Sequence, residues 1–273
     1  MQQRRIALDG VPETMLWPLW NRAAEMERTD RLLEDPMAAE LVERIDYDFL
    51  GRFGKPTVFH VIRARVCDDL IRNYLAGERE REPVVVALGD GLETQLWRIG
   101  DERLQWISVD VPESIRVRRE LLPHHPRATL VSGSALNWAW MDAVPSNARP
   151  LITAAGLLMY FKEDDVRSLL TEIAQRFPGA EVFFDTIPPF FSQRSMKGLK
   201  VTKRYTVPPM PWGIKMNDLP AFIHSIPQLT PIRVQTYADP WPKRMQFYKM
   251  LSTITSLRNA LAGCLVHVQF SPA

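Results

Sequence analysis

Apolar and charged positions follow two different rhythms along this chain, and the change comes near residue 80. Before it the spacing is helical. The stretch 59–75 is the clearest case, because Val61, Ala64, Val66, Leu70, Ile71 and Leu75 form one stripe while Arg63, Arg65, Asp68, Asp69 and Arg72 leave it. Segments 22–28 and 38–45 show the same mixture, so residues 1–80 are expected to form a helical cap. The charged run from Gly77 to Pro83 reads as a solvated turn that delivers the chain to its first strand. From there short apolar runs at 84–88, 105–109, 128–131, 151–154, 181–185, 232–237 and 265–270 predict strands, with helices between them that include 112–121, 162–176 and 243–262. Pro112 suits a helix start, where its missing N–H is not needed. This alternation predicts an α/β fold over 81–273: a seven-stranded, mostly parallel sheet with helices on both faces and a last strand inserted antiparallel.

The stretch 186–230 breaks the rhythm. It carries seven prolines from Pro188 to Pro227 together with Phe190, Phe191, Tyr205, Met210, Trp212, Met216 and Phe222. Long irregular segments in compact domains are usually functional or disordered, and this aromatic load argues against disorder. The expectation is a lid whose Tyr205, Met210 and Trp212 contact an apolar substrate; the plainer alternative is that the same aromatics complete a core.

Candidate chemistry concentrates after the first strand. The run Val84 to Leu88 is followed by Gly89-Asp-Gly91, and a second apolar run ends in Asp110, nineteen residues beyond Gly91. A glycine turn from strand to helix lets a ligand approach the backbone, and an acid at that distance can accept both hydroxyls of an adenosine ribose. Thr94 occupies the place of the third glycine of the dinucleotide pattern, which favours S-adenosylmethionine over a nicotinamide cofactor and weighs against an oxidoreductase.

Composition narrows the partners. A net charge of +2, with 34 basic residues scattered among 32 acidic ones, gives no concentrated field for nucleic acid. The opening Met1-Gln-Gln-Arg-Arg-Ile6 lacks the apolar stretch of a secretory signal, and no apolar run is long enough to span a bilayer. Cys67 and Cys264 are too few for a disulfide scaffold and fit no metal motif. A cytoplasmic protein with a small-molecule substrate, no membrane partner and no metal is expected, and a homodimer is compatible with the sequence.

The motifs Asn21-Arg-Ala-Ala-Glu25, Asp35-Pro-Met-Ala-Ala39, Arg63-Ala-Arg65, Leu88-Gly-Asp-Gly-Leu-Glu-Thr94, Val109-Asp-Val-Pro112, Arg118-Arg-Glu-Leu-Leu122, Gly156-Leu-Leu-Met-Tyr160 and Phe177-Pro-Gly179 run in order along the chain. In these the chain resembles the leucine carboxyl methyltransferase family of S-adenosylmethionine-dependent O-methyltransferases. The resemblance implies the class I methyltransferase fold and methylation of a carboxyl or hydroxyl oxygen on a small, aromatic or polyketide-like molecule, with S-adenosylhomocysteine as product. It implies that Gly89, Asp90 and Gly91 meet the methionine half of the cofactor, that Arg65 grips its carboxylate, and that Ser134, Ala135 and Leu136 face adenine. Ala155 stands where many members carry a cofactor-holding glutamate, which keeps a catalytically weak cofactor-binding protein as the alternative. Methyl transfer mainly requires nucleophile and methyl to be held in line, so proximity can suffice. Tyr160, beyond the fourth strand, is the expected residue at the junction of cofactor and acceptor. His60 and His224 are the histidines placed to reach a substrate, with His224 in the expected lid.

Overall fold

The computed structural model describes residues 4–5, 8–78 and 82–272; the centre of the charged run at 77–83 and most of the first seven residues lie outside them. In the N-terminal part, β1 (Arg4–Arg5) pairs in parallel with β2 (Ile45–Asp46), and helices α1 (Gly10–Glu13), α2 (Leu16–Glu25), α3 (Pro36–Arg44), α4 (Phe49–Phe53) and α5 (Phe59–Gly77) surround them. Local chemistry sets several of these boundaries. Pro36 occupies the first turn of α3, and the Asp35 carboxylate accepts from Ala38 N–H at 3.0 Å, satisfying an otherwise orphaned donor. Asp48 caps α4 in the same way through Gly51 N–H.

The main sheet contains β3 (Val84–Leu88), β4 (Gln105–Asp110), β5 (Ala128–Ser132), β6 (Leu151–Ala154), β7 (Glu181–Asp185), β8 (Leu229–Thr236) and β9 (Cys264–Phe270) in the spatial order β5-β4-β3-β6-β7-β9-β8. β3 to β7 pair in parallel, whereas β9 is antiparallel to both neighbours. Every residue of β3 and β6 is buried, as central parallel strands covered on both faces require. The crossovers include α6 (Gln95–Ile99), α7 (Pro112–Leu121) and α8 (Glu163–Arg176). No described helix is long and apolar enough to cross a membrane.

The expected single helix 243–262 is broken. It comprises a 3₁₀ turn at Pro242–Arg244, α11 (Gln246–Ser252) and α12 (Thr255–Leu261), with Ile254 extended between the last two. The hydroxyls of Ser252 and Thr253 donate to the carbonyls of Lys249 and Met250, a local bonding that competes with helix continuation. Strand β8 begins three residues earlier than its apolar run, and Pro231 is tolerated because β8 is the sheet edge. The stretch 186–230 contains α9 (Pro189–Met196) and α10 (Leu219–His224), neither marked by a strong period in the sequence.

Cap and sheet are joined by buried charges. Arg22 of α2 donates to Asp35 at 2.9 Å and to the Leu92 carbonyl at 2.8 Å, and pairs with Glu93 at 3.0 Å. Arg98 of α6 reaches Asp35 at 2.8 Å, Asp68 of α5 at 2.9 Å and Glu93 at 2.9 Å, and Thr94 Oγ1 donates to Asp35 at 2.7 Å. Burial opposes the charged form of Asp35 and Glu93, yet the flanking Arg22 and Arg98 hold both carboxyls below their ordinary range.

Candidate active site

At the C-terminal end of β3 the chain turns through Gly89 (φ 67°) and Gly91 (φ 48°), left-handed conformations that side chains rarely adopt. Space is equally restrictive, since a Cβ on Gly89 would stand 2.9 Å from Leu157 Cδ1 and one on Gly91 2.8 Å from Met15 Cβ. At the end of the neighbouring β4, Asp110 clasps this turn: Oδ2 accepts from Gly91 N–H at 2.8 Å and Oδ1 from Val111 N–H at 2.8 Å. Burial raises its pKa against the opposing effect of these donors.

Above these strand ends lies a cavity of about 660 Å³. The glycine turn, Asp110, Ser134, Ala135, Ala155, Gly156 and Tyr160 line it, and the N-terminal segment from Asp9 to Met15 forms another part of its wall. Ligands in open α/β sheets bind at this end of the strands. Tyr160 is within hydrogen-bonding reach of Thr14, and burial raises its phenol pKa, so it remains protonated at neutral pH.

Arg63 projects its guanidinium into the same cavity, and the sequence reading missed it. It pairs with Asp185 at the end of β7 at 3.2 Å, and its tip occupies the place a Cβ on Gly156 would fill, 2.4 Å from Nη1. Burial opposes its charge, but Asp185 beside it raises its pKa further still. Arg65, the expected grip, faces elsewhere: it pairs with Asp69 at 3.0 Å, donates to the Leu32 carbonyl at 3.0 Å and stacks over Trp241. Two residues along a helix is a rotation of about 200°, so Arg63 and Arg65 cannot share a target. Helical phase was the signal that could have separated them.

Other expected positions move too. Asp90 offers only its backbone to the cavity, because its carboxylate turns inward to Trp106 Nε1 at 2.9 Å, Ser108 and Arg118 at 2.9 Å. Leu136 packs against the main core and is absent from the lining. His224 is exposed on α10, bonded through Nδ1 to the Pro220 carbonyl, and does not reach the cavity. Tyr205, Met210 and Trp212 are buried but line none of it. Tyr205 and Met210 fill the cap core beside Leu16 and Phe53, while Trp212 packs with Phe184 and Phe222 in the core of the sheet. Aromatics that can be covered completely gain more as core than as waiting surface, so the plainer reading of this stretch prevails. Accordingly, Trp212→Ala is expected to cost about 3–5 kcal/mol of stability while leaving S-adenosylhomocysteine affinity unchanged in the folded variant. Denaturant unfolding and calorimetry check the two halves; a Trp212→Ala variant of undiminished stability that lost methyl transfer would return Trp212 to the substrate wall.

His60 is not among the residues that line the cavity. Asn21 Oδ1 accepts from Thr57 N–H, which turns the Asn21 amide N–H₂ toward His60 Nδ1 at 2.7 Å. Burial, reinforced by Arg63 and Arg22, pushes its pKa well down, and its acceptor nitrogen is already engaged. No histidine is among the described residues that line the cavity.

A parallel sheet closed by an antiparallel insertion, with a glycine turn and an acid at adjacent strand ends, is the architecture of class I S-adenosylmethionine-dependent methyltransferases. Residues 16–174 match the model of the leucine carboxyl methyltransferase family, and the chain belongs to that family. It is 34% identical to the tetracenomycin polyketide synthesis O-methyltransferase of Streptomyces glaucescens over 68% of this chain and 69% of that protein. It is 30% identical to an S-adenosyl-L-methionine-dependent methyltransferase of Gibberella zeae over 65% of each. The crystal structure of a candidate methyltransferase from Thermobifida fusca shares the fold, with a TM-score of 0.56, 14% identity and 94% of each chain covered.

Proposed function

We propose that this protein transfers a methyl group from S-adenosylmethionine to an oxygen of a small aromatic or polyketide-like acceptor. One observation carries the reading: a single cavity holds the glycine turn, a ribose-type acid at Asp110, a guanidinium at Arg63 and a protonated phenol at Tyr160. The cofactor, when bound, supplies an electrophilic methyl on a sulfonium. Asp110 keeps lone pairs after its two backbone bonds and accepts the ribose hydroxyls with them. Arg63 takes the methionine carboxylate, for which a planar fork is suited. Gly89 and Gly91 allow the close approach, and Ser134 and Ala135 face the adenine.

Tyr160 stands at the acceptor side as a hydrogen-bond donor, its raised pKa making it a poor base. With His60 engaged and no histidine among the described lining residues, proximity does the work, and the site suits an oxygen that arrives ionised, a carboxylate or an acidic phenol. The name of the Streptomyces glaucescens relative, an O-methyltransferase, and that of the family, a carboxyl methyltransferase, support oxygen as the target atom.

Melting curves give the first check. S-adenosylhomocysteine at a hundredfold its dissociation constant should stabilise the fold by about 2.7 kcal/mol, and NAD should not shift the transition. Transfer of radiolabelled methyl to a panel of aromatic carboxylic acids, phenols and amines then tests the acceptor. Stabilisation by NAD alone would overturn the cofactor reading, and methylation confined to amines would overturn the oxygen.

A further inference from the structure

The arginine in the cavity is held by residues that arrive from the far end of the chain. Asp185 ends β7 and is almost fully buried, and three groups converge on its carboxylate. Oδ1 accepts from Gly156 N–H at 2.5 Å, while Oδ2 accepts from Arg63 Nη1 at 3.2 Å and from the Tyr237 hydroxyl at 2.7 Å. Tyr237 follows β8, beyond the 16–174 segment that matches the family model. Its ring is seated by an edge contact with Phe59 of α5. Burial and the neighbouring Asp185 both hold the phenol protonated, so it donates. Ala155, on the cavity wall beside Gly156, has no carboxylate to orient the guanidinium, and Asp185 is the one acid ion-paired to Arg63 among the described residues.

We infer that Tyr237 and Asp185 are positioning residues for cofactor recognition: the Tyr237 hydroxyl fixes the Asp185 carboxylate, and Asp185 fixes the Arg63 fork toward the amino-acid end of the cofactor. This rests on the reading of Arg63 given above. A long arginine free to choose rotamers loses entropy on each binding event, and a carboxylate locked from two other directions removes that freedom beforehand. Of the guanidinium nitrogens, Asp185 bonds Nη1.

Two ligands separate positioning from general support of the fold. S-adenosylhomocysteine carries the amino acid, whereas 5′-methylthioadenosine keeps the adenosine and the sulfur without it. By calorimetry, Tyr237→Phe is expected to weaken S-adenosylhomocysteine about tenfold and to leave 5′-methylthioadenosine unchanged. In the Arg63→Ala background the same substitution should have no further effect, because the group it positions is gone. Equal weakening of both ligands, or of neither, would overturn the inference. Arg63→Ala alone tests the underlying reading: if it fails to discriminate the two ligands, Arg63 does not meet the amino acid. If it discriminates and Tyr237→Phe does not, only the positioning role falls. Asp185→Asn provides a second route, and it should discriminate in the same direction while retaining the bond from Gly156.

Discussion

Asp35→Ala is expected to remove about 3–5 kcal/mol of folding stability, a large share of the roughly 5–15 kcal/mol that holds an ordinary domain folded. The carboxylate is fully buried, caps α3, and takes bonds from Arg22, Arg98 and Thr94. Removing it takes a shared acceptor from two buried guanidinium groups between the cap and the sheet, leaving Arg22 to Glu93 and Arg98 to Asp68 and Glu93, and these broken buried bonds are the larger part of the loss. Chemical denaturation of the variant measures it. A loss near the 1 kcal/mol typical of a helix cap alone would show that the network is not cooperative. The same cluster sets a pH dependence. Because the folded pKa values of Asp35 and Glu93 lie below their unfolded values, their stabilisation is complete above about pH 4–5 and is lost as pH falls through the folded values. Wild type should therefore lose stability in acid, and Asp35→Asn should flatten that slope.

Arg63→Ala is expected to weaken S-adenosylhomocysteine by about 2–3 kcal/mol, roughly 30- to 150-fold. Among the described residues, the guanidinium is the only cation in the cavity lining besides Arg22, and Arg22 is already committed to Asp35, Glu93 and a carbonyl. Arg63→Lys should recover only part of the loss, because an ammonium cannot present two parallel donors to both Asp185 and a ligand carboxylate. Arg65→Ala should leave the affinity unchanged, since that side chain lies on the opposite side of α5. If the two arginines exchanged these behaviours in calorimetry, the assignment of the carboxylate grip would revert to Arg65.

The remaining misreadings share one cause. The segment 186–230 looked like a lid because its aromatics follow no period, yet Tyr205 and Met210 meet the cap at Leu16 and Phe53, and Trp212 meets Phe184 and Phe222. Each partner is remote in sequence. His224 appeared available for the same reason and proves to be a surface residue of α10. The part of the wall expected from this segment comes instead from Asp9 to Met15 of the N-terminal segment.

Sequence alone determined what local and short-range physics control. Runs of apolar residues defined the seven strands, the glycine pair defined a turn no side chain can enter, and Asp110 stood at the end of the strand that follows. Period and spacing suffice there because each feature depends on backbone geometry within one βαβ unit. Only the tertiary structure decided which arginine of α5 faces the cavity, which acids neutralise it, and which aromatics are core. Those outcomes turn on side chains such as Asp185 and Tyr237, 122 and 52 residues from the partners they meet, and no local pattern encodes a contact across that distance.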